Sequence, residues 1–340
     1  MKRILLIATG GTIASLPRED GLAPALSGEE LAAYVPQVSD LCQLDFVQPM
    51  NIDSTNMRPA DWLTIARTIE DAYDDYDGFV ILHGTDTMAY TASSLSYLIQ
   101  DSPKPIVLTG SQQPMANPFT DAKLNLYQSV LFALDPAAHD VSVCFGGKVI
   151  AGTRARKQRT LSFNAFGSVN YPSLAYIRGK RIVRPGAESG PGAAATGKPA
   201  GPARFYHQLD ERVLVLKLTP ELKPSIFELL KADYRAVILE TFGIGGIPEY
   251  DDGSYRKAIF DWVDSGRVIV VTTQVPEEGL DLGVYEVGHA YADKPSILRA
   301  DDMTTEALVA KTMWMLGQTD DPRQMAELFY KPINHDRVPS

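Results

Sequence analysis

Apolar residues run along this chain in short unbroken blocks, each closed by glycine, proline or a small polar residue. RILLIAT (3–9), GFVILHG (78–84), PIVLTG (105–110) and VSVCFGG (141–147) are apolar at successive rather than alternate positions. That pattern predicts strands buried on both faces. Between the blocks the spacing turns helical. Ser27 and Glu30 form a capping box opening SGEELAAYV, and Pro59 takes the first turn of PADWLTIARTIEDAY. Trp62, Ala66, Ile69 and Tyr73 share one face of that helix, which ends in a solvated acidic run, EDAYDDYD. Met88, Ala92, Leu95 and Ile99 make a second stripe, and Leu124, Tyr127, Leu131 and Leu134 a third. Strand–helix–strand alternation predicts a parallel sheet with helices on both faces.

The pattern breaks at RPGAESGPGAAATGKPAGPAR (184–204), whose glycine, alanine and proline cannot bury a core. Alternation then resumes: RVLVLKL (212–218), helix SIFELLKA, AVILETFG (236–243), helix YRKAIFDWV, VIVVTTQV (268–275), and two closing helices whose aromatic residues belong to the core. The fold class expected is α/β with two domains, a larger one over 1–183 and a smaller one over 205–340, joined by the 184–204 linker. No internal repeat or heptad seam is present.

Composition narrows the function classes. A length of 340 residues suits two domains, and a hydrophobic fraction of 45% suits ordinary cores. The formal charge of −10 argues against nucleic-acid binding and against anionic membranes, both of which want a basic surface. The apolar run after Met1 is too short for a signal peptide or a spanning helix. The two cysteines, Cys42 and Cys144, form no CxxC pair, which suits a reducing, cytoplasmic setting.

Ligands of open parallel sheets collect beyond the carboxyl ends of the strands. Three polar clusters are predicted there: Thr9-Gly10-Gly11-Thr12, the stretch Asn51–Met57 after LDFVQPM, and His83–Thr87. The glycine turn matches neither a P-loop nor a dinucleotide fingerprint. A threonine hydroxyl needs a base beside it, and a lysine desolvated in a closed site can serve. Lys157, in TRARKQRT, follows the strand-like KVIAG in the same domain. Glycines beside Thr12 leave backbone N–H groups to hold an oxyanion. The set suits acyl transfer from an amide to water, with no metal-ligand spacing. Each residue also has a plainer reading. The glycines make a turn, Asp86 caps the helix after it, His83 is packed in the core, and Lys157 lies on a solvated face with Arg154, Arg156 and Arg159.

Taken together, ATGGTIAS, MNIDSTNM, DDYDGFVILHGTDTMAYTAS, PIVLTGSQQP and VNYP resemble the bacterial-type L-asparaginase family. TTQVPEEGLDLGVYEVG and ADDMTTEALVAKTMWMLG are similar to its cytoplasmic type I branch. The resemblance covers the chain apart from the 184–204 linker. It implies hydrolysis of L-asparagine to L-aspartate and ammonia, with no cofactor. Thr12 matches the nucleophile that forms a β-aspartyl enzyme. Thr85, Asp86 and Lys157 match the set that handles a proton, the aspartate also engaging the substrate α-amino group. Ser54 matches the residue holding the α-carboxylate, with Asp53 and Thr55 beside it, and Ser111 lies where the backbone meets the amide. A neighbouring subunit of a homodimer or homotetramer completes the site, through the segment matching Tyr285-Glu286.

One departure stands out. Many members carry a tyrosine on the mobile loop after the nucleophile; here LPREDGLAPALSGEE places Leu22 there, and the nearby Tyr34 falls in a helical pattern that argues for packing. The resemblance leaves two further readings. One is an asparaginase-like subunit of a tRNA-dependent amidotransferase, which carries an extra N-terminal domain, whereas the strand before Thr12 begins here at residue 3. The other is a non-catalytic amino-acid sensor.

Overall fold

A computed structural model describes residues 1–11, 13, 15–18, 21–24, 34–38, 40–185, 199, 201–250, 253–281 and 296–338. Contacts divide the chain into two units, Met1–His207 and Gln208–Ser340. Residues 27–33 of the helix expected over 27–35 and most of the 184–204 segment lie outside the described residues, as do Thr12, Tyr285 and Glu286.

The first unit is built on β1 (Arg3–Ala8), β2 (Ser15–Arg18), β3 (Gly21–Pro24), β4 (Gln43–Val47), α1 (Pro59–Asp71), β5 (Gly78–Leu82), α2 (Met88–Leu98), β6 (Ile99–Gln100), β7 (Ile106–Thr109), α3 (Ala122–Ala133), β8 (Val141–Phe145), β9 (Lys148–Ala151), β10 (Ala155–Lys157), β11 (Phe166–Ser168), β12 (Ala175–Arg178), β13 (Arg181–Val183) and β14 (Arg204–Phe205). Among the described residues, eight strands form the main sheet in the order β13-β12-β9-β8-β7-β5-β1-β4. The run from β8 to β4 is parallel, as expected from its unbroken apolar blocks. The other edge is antiparallel, because Gly146 and Gly147, at φ 57° and 77°, turn β8 directly into β9. Two adjacent left-handed residues make the tight hairpin that suits strand twist.

Burial follows the sheet. Ile4 and Leu6 point into one core cluster, and Leu5 and Ile7 are buried on the opposite face. Trp62, Ile65, Ala66 and Ile69 are the buried face of α1. In α2 every residue except Tyr90 is buried. The third stripe needs correction: Leu124 is 57% exposed, while Ala122, Leu126 and Val130 carry the inward face of α3. Apolar residues surround that helix, so spacing alone gave its face no unique phase; Tyr127, Leu131 and Leu134 pack at the margin. Tyr34 is also exposed, at 39%, under the Lys123 ammonium rather than packed. The segment expected as a loop after residue 12 contains an antiparallel hairpin, β2 with β3, in which Leu22 stands opposite Pro17.

In the second unit, β15 (Val213–Lys217), β16 (Ala236–Thr241), β17 (Val268–Thr273) and β18 (Ile297–Arg299) form a parallel sheet in that order. Among the described residues, four helices accompany it: α4 (Ile226–Leu230), α5 (Ser254–Asp264), α6 (Thr305–Gln318) and α7 (Pro322–Tyr330). Trp262 packs edge-on against Phe227 in its core, and its indole N–H donates to Val268 O over 2.9 Å.

Candidate active site

β5, β1 and β4 are neighbours, so the polar clusters that follow them meet at one end of the sheet. Backbone bonds draw them together. Thr9 N donates to Leu82 O (3.0 Å), Ile52 N to Thr9 O (2.9 Å) and Gly11 N to Ile52 O (3.0 Å). The Thr9 hydroxyl also donates to Leu82 O, so it serves the framework. Gly10 and Gly11 adopt φ 105° and 81°, where a side chain is strained. Space excludes one as well. A Cβ on Gly11 would lie 2.3 Å from Gly84 Cα, and one on Gly84 would lie 2.5 Å from Ser54 Oγ. The glycines therefore bring three chain segments into backbone contact, and the residue after Gly11 is Thr12.

Around that junction, Asp53 Oδ1 accepts hydrogen bonds from Thr55 N (2.9 Å) and Thr55 Oγ1 (3.0 Å), capping the 3₁₀ turn Ser54–Asn56. Ser54 is buried beneath, while Asp53 and Thr55 are exposed. Thr87 Oγ1 donates to Ser54 O over 2.8 Å and ties this turn to the segment after β5. The cap expected of Asp86 is absent: Thr87 occupies the N-cap of α2. Asp86 instead holds Lys157. Lys157 Nζ donates to Asp86 Oδ1 at 2.6 Å and to Thr85 Oγ1 at 2.8 Å. Lys157 ends β10, whose antiparallel partner β11 sets Phe166 opposite it, and its side chain is only 19% exposed. The solvated-face reading of its neighbours fails at Arg154, which is fully buried over the Tyr171 ring, and holds at Arg159, which is exposed.

Ser111 is buried, and its hydroxyl donates to Gln113 O at 2.5 Å, so the loop after β7 uses that side chain internally. Asp121 accepts from Gln112 N and Gln113 N, each at 3.1 Å, and fixes the same loop. Gln112, which the spacing argument did not single out, brings its Oε1 to 3.4 Å from Thr85 Oγ1 and donates through Nε2 to Ser162 O (3.2 Å). The signal available was a polar pair, Gln112-Gln113, directly after a buried strand.

His83 is packed in the core, as its position at the end of an apolar block suggests. Burial pushes its imidazole from 6.5 down to about 4, a hydrogen bond to Gly84 O opposing the change. Between those values an unfolded chain binds a proton that the folded one refuses. Stability is therefore expected to fall by about 1.4 kcal/mol per pH unit as the pH drops from about 6.5 to 4. Urea midpoints at pH 7, 6 and 5 check this, His83→Asn losing that component of the slope.

Chemically, the junction presents the Thr85 hydroxyl held by the Lys157 side chain, which also meets the Asp86 carboxylate. A hydroxyl, an amine and a carboxylate in contact form a chain along which a proton can pass.

Residues 3–186 match the family description "Asparaginase, N-terminal", and residues 212–329 match "Glutaminase/Asparaginase C-terminal domain". The chain is 37% identical to an L-asparaginase of Thermococcus kodakarensis over 333 residues, covering 97% of this chain and 98% of that protein. It is 32% identical to L-asparaginase 1 of Escherichia coli K12, over 99% and 98% of the two chains. A glutamyl-tRNA(Gln) amidotransferase subunit from Metallosphaera sedula is 32% identical over 96% of this chain and 74% of its own length. The solved structure of the Thermococcus kodakarensis L-asparaginase superposes with a TM-score of 0.88 at 35% identity, covering 99% of this chain and 100% of that one. With both halves matched and full-length relatives above 30% identity, the chain belongs to the asparaginase family.

Proposed function

We propose that this chain hydrolyses L-asparagine to L-aspartate and ammonia by two acyl transfers. The observation that carries the reading is the contact of Lys157 with both Thr85 and Asp86, at 2.8 and 2.6 Å, at the strand ends where Gly84 meets both Gly11 and Ser54. In the first transfer the Thr12 oxygen attacks the side-chain carbonyl carbon, the carbon–nitrogen bond breaks, and ammonia leaves with the threonine proton. Backbone N–H groups around the glycine turn and Ser111 hold the developing oxyanion and the amide. In the second, water adds to the resulting ester, and the Thr85–Lys157–Asp86 set relays its proton back to the Thr12 oxygen.

Recognition of a small zwitterion follows from the same residues. Asp86, 56% exposed and holding Lys157 through Oδ1 alone, faces the α-ammonium, and Ser54, with Asp53 and Thr55, takes the α-carboxylate. Glu286 of a neighbouring subunit closes the site in a cytoplasmic homodimer or homotetramer. Light scattering on the purified protein is expected to return at least two chains per particle.

The test is ammonia release from asparagine and from glutamine over a concentration series. Turnover of asparagine, preferred over glutamine, is expected. No ammonia from either overturns the proposal. A second reading, an ammonia-releasing subunit for a tRNA-dependent partner, draws on the identity to the Metallosphaera sedula protein. The charge of −10 weighs against contact with tRNA. Asparagine turnover by the isolated chain separates the two.

A further inference from the structure

Directly behind the junction sits a buried histidine that the hydrolytic scheme leaves unused. His83 immediately follows β5 and is bonded at both ring nitrogens. From α1, Trp62 Nε1–H donates to Thr91 Oγ1 over 3.0 Å. Thr91, on α2, lies 2.9 Å from His83 Nε2, and His83 Nδ1 lies 2.7 Å from Gly84 O. A carbonyl oxygen only accepts, so Nδ1 carries the ring proton and Nε2 accepts from the Thr91 hydroxyl. The indole can only donate. Each link thus has one possible direction, from the indole through the hydroxyl and the imidazole to the Gly84 carbonyl.

The end of that chain is the peptide on which the junction turns. Gly84 is the residue against which Gly11 and Ser54 both pack without room for a methyl group. The peptide joining it to Thr85 is trans, so its C=O and N–H point to opposite sides. Holding Gly84 O against the imidazole turns the Thr85 N–H away from the buried ring. The same choice sets the direction in which Thr85 leaves the strand, and with it the 2.8 Å approach of its hydroxyl to Lys157. His83 N donates to Thr109 O at 2.8 Å, so the histidine backbone is itself anchored to β7 and the ring works from a fixed base.

We infer that His83 is a positioning residue, which locks the Gly84–Thr85 peptide in the orientation that presents both the Thr85 N–H and its hydroxyl to the reacting amide. The inference rests on the role assigned to Thr85 above. It predicts a specific pattern of loss and rescue, because asparagine and glutamine each reproduce one of the two ring nitrogens. The Nδ2 amide of His83→Asn falls where Nδ1 was and can still donate to Gly84 O. The terminal amide of His83→Gln falls where Nε2 was and can reach Thr91 but not Gly84.

The experiment measures kcat and KM for asparagine with the full chain. A misaligned donor acts on the transition state more than on ground-state binding, so His83→Ala is expected to lower kcat at least about 30-fold with KM within about threefold. His83→Asn is expected to recover most of that loss and His83→Gln little of it. Each exchange forfeits one buried hydrogen bond, so thermal midpoints that fall alike in the two variants separate positioning from simple loss of stability. Thr91→Val gives an independent arm should either variant fail to fold. It keeps the imidazole, removes the hydroxyl that holds Nε2 and steadies the ring, and is expected to lower kcat about tenfold.

Equal impairment of His83→Asn and His83→Gln, a rise in KM at unchanged kcat, or full activity in Thr91→Val overturns the role of His83 while leaving the hydrolase reading in place. A wild-type protein without turnover overturns both.

Discussion

Lys157→Met is expected to lower kcat for asparagine at least about 10³-fold while the protein stays folded. The side chain meets Thr85 Oγ1 and Asp86 Oδ1 together, so one substitution strips the hydroxyl of its charged partner and the carboxylate of its counter-ion. Stability suffers little. Asp86 is 56% exposed and regains water, and methionine keeps the apolar stem packed. Thr12→Ala is expected to lose at least as much activity. The informative measurement is the double variant. Groups acting as one unit lose their joint contribution when any member is removed. Thr12→Ala combined with Lys157→Met is therefore expected to be no slower than Thr12→Ala alone, rather than slower by the product of the two factors. A multiplicative loss, measured by ammonia release at saturating asparagine, would show the two residues acting independently and break the relay assigned to them.

How far the chain announces this arrangement depends on the range of the interaction. Strands β1, β5, β7 and β8 are legible because a strand covered on both faces has no polar register to maintain, and its apolar block is continuous. Their adjacency then places the clusters after residues 8, 47 and 82 at one end of the sheet. Gly10 and Gly11 raise a question in sequence that only contact answers: the Cβ excluded at Gly11 is excluded by Gly84, far along the chain. Asp86 misleads because its place before a helix fits a local cap, while its partner Lys157 arrives on a hairpin 71 residues later. The arginines around Lys157 read as a solvated run because a charge pattern carries no register. Pairing β10 with β11 supplies that register, and Arg154 goes inside. The outward turn of Leu124 has the same origin, since a helix apolar on most sides needs its neighbours to choose a face. Gln112 and the His83 chain depend on single side-chain contacts between elements, which periodicity does not encode.

Asp336→Ala is expected to destabilise the protein by about 3–5 kcal/mol, the penalty for breaking an ion pair with no access to water. Lys311 stands in α6 among Ala310, Met313 and Trp314, in a helix whose apolar residues continue round the axis. Both it and Asp336 are fully buried, with Nζ 2.5 Å from Asp336 Oδ2 and 2.7 Å from Lys331 O. Asp336 Oδ1 also accepts from Ile333 N at 3.0 Å, closing the turn in which Asn334 and His335 take φ 45° and 63°. The pair thus pins the residues after α7 to α6. Burial drives the Lys311 ammonium from 10.5 down to about 8 even with Asp336 raising it. Without Asp336 its proton is held more weakly still. An unfolded chain keeps that proton to about pH 10.4, so the folded variant regains stability as pH rises and the deficit is expected to be smaller at pH 9 than at pH 6. Pairing Asp336→Ala with Lys311→Met removes the orphaned cation, and the double variant is expected to sit at least about 2 kcal/mol above the sum of the single losses. Denaturant midpoints of the four proteins at the two pH values give the coupling. Additive losses, or a deficit that grows with pH, would show that the contact holds the tail by packing rather than by charge.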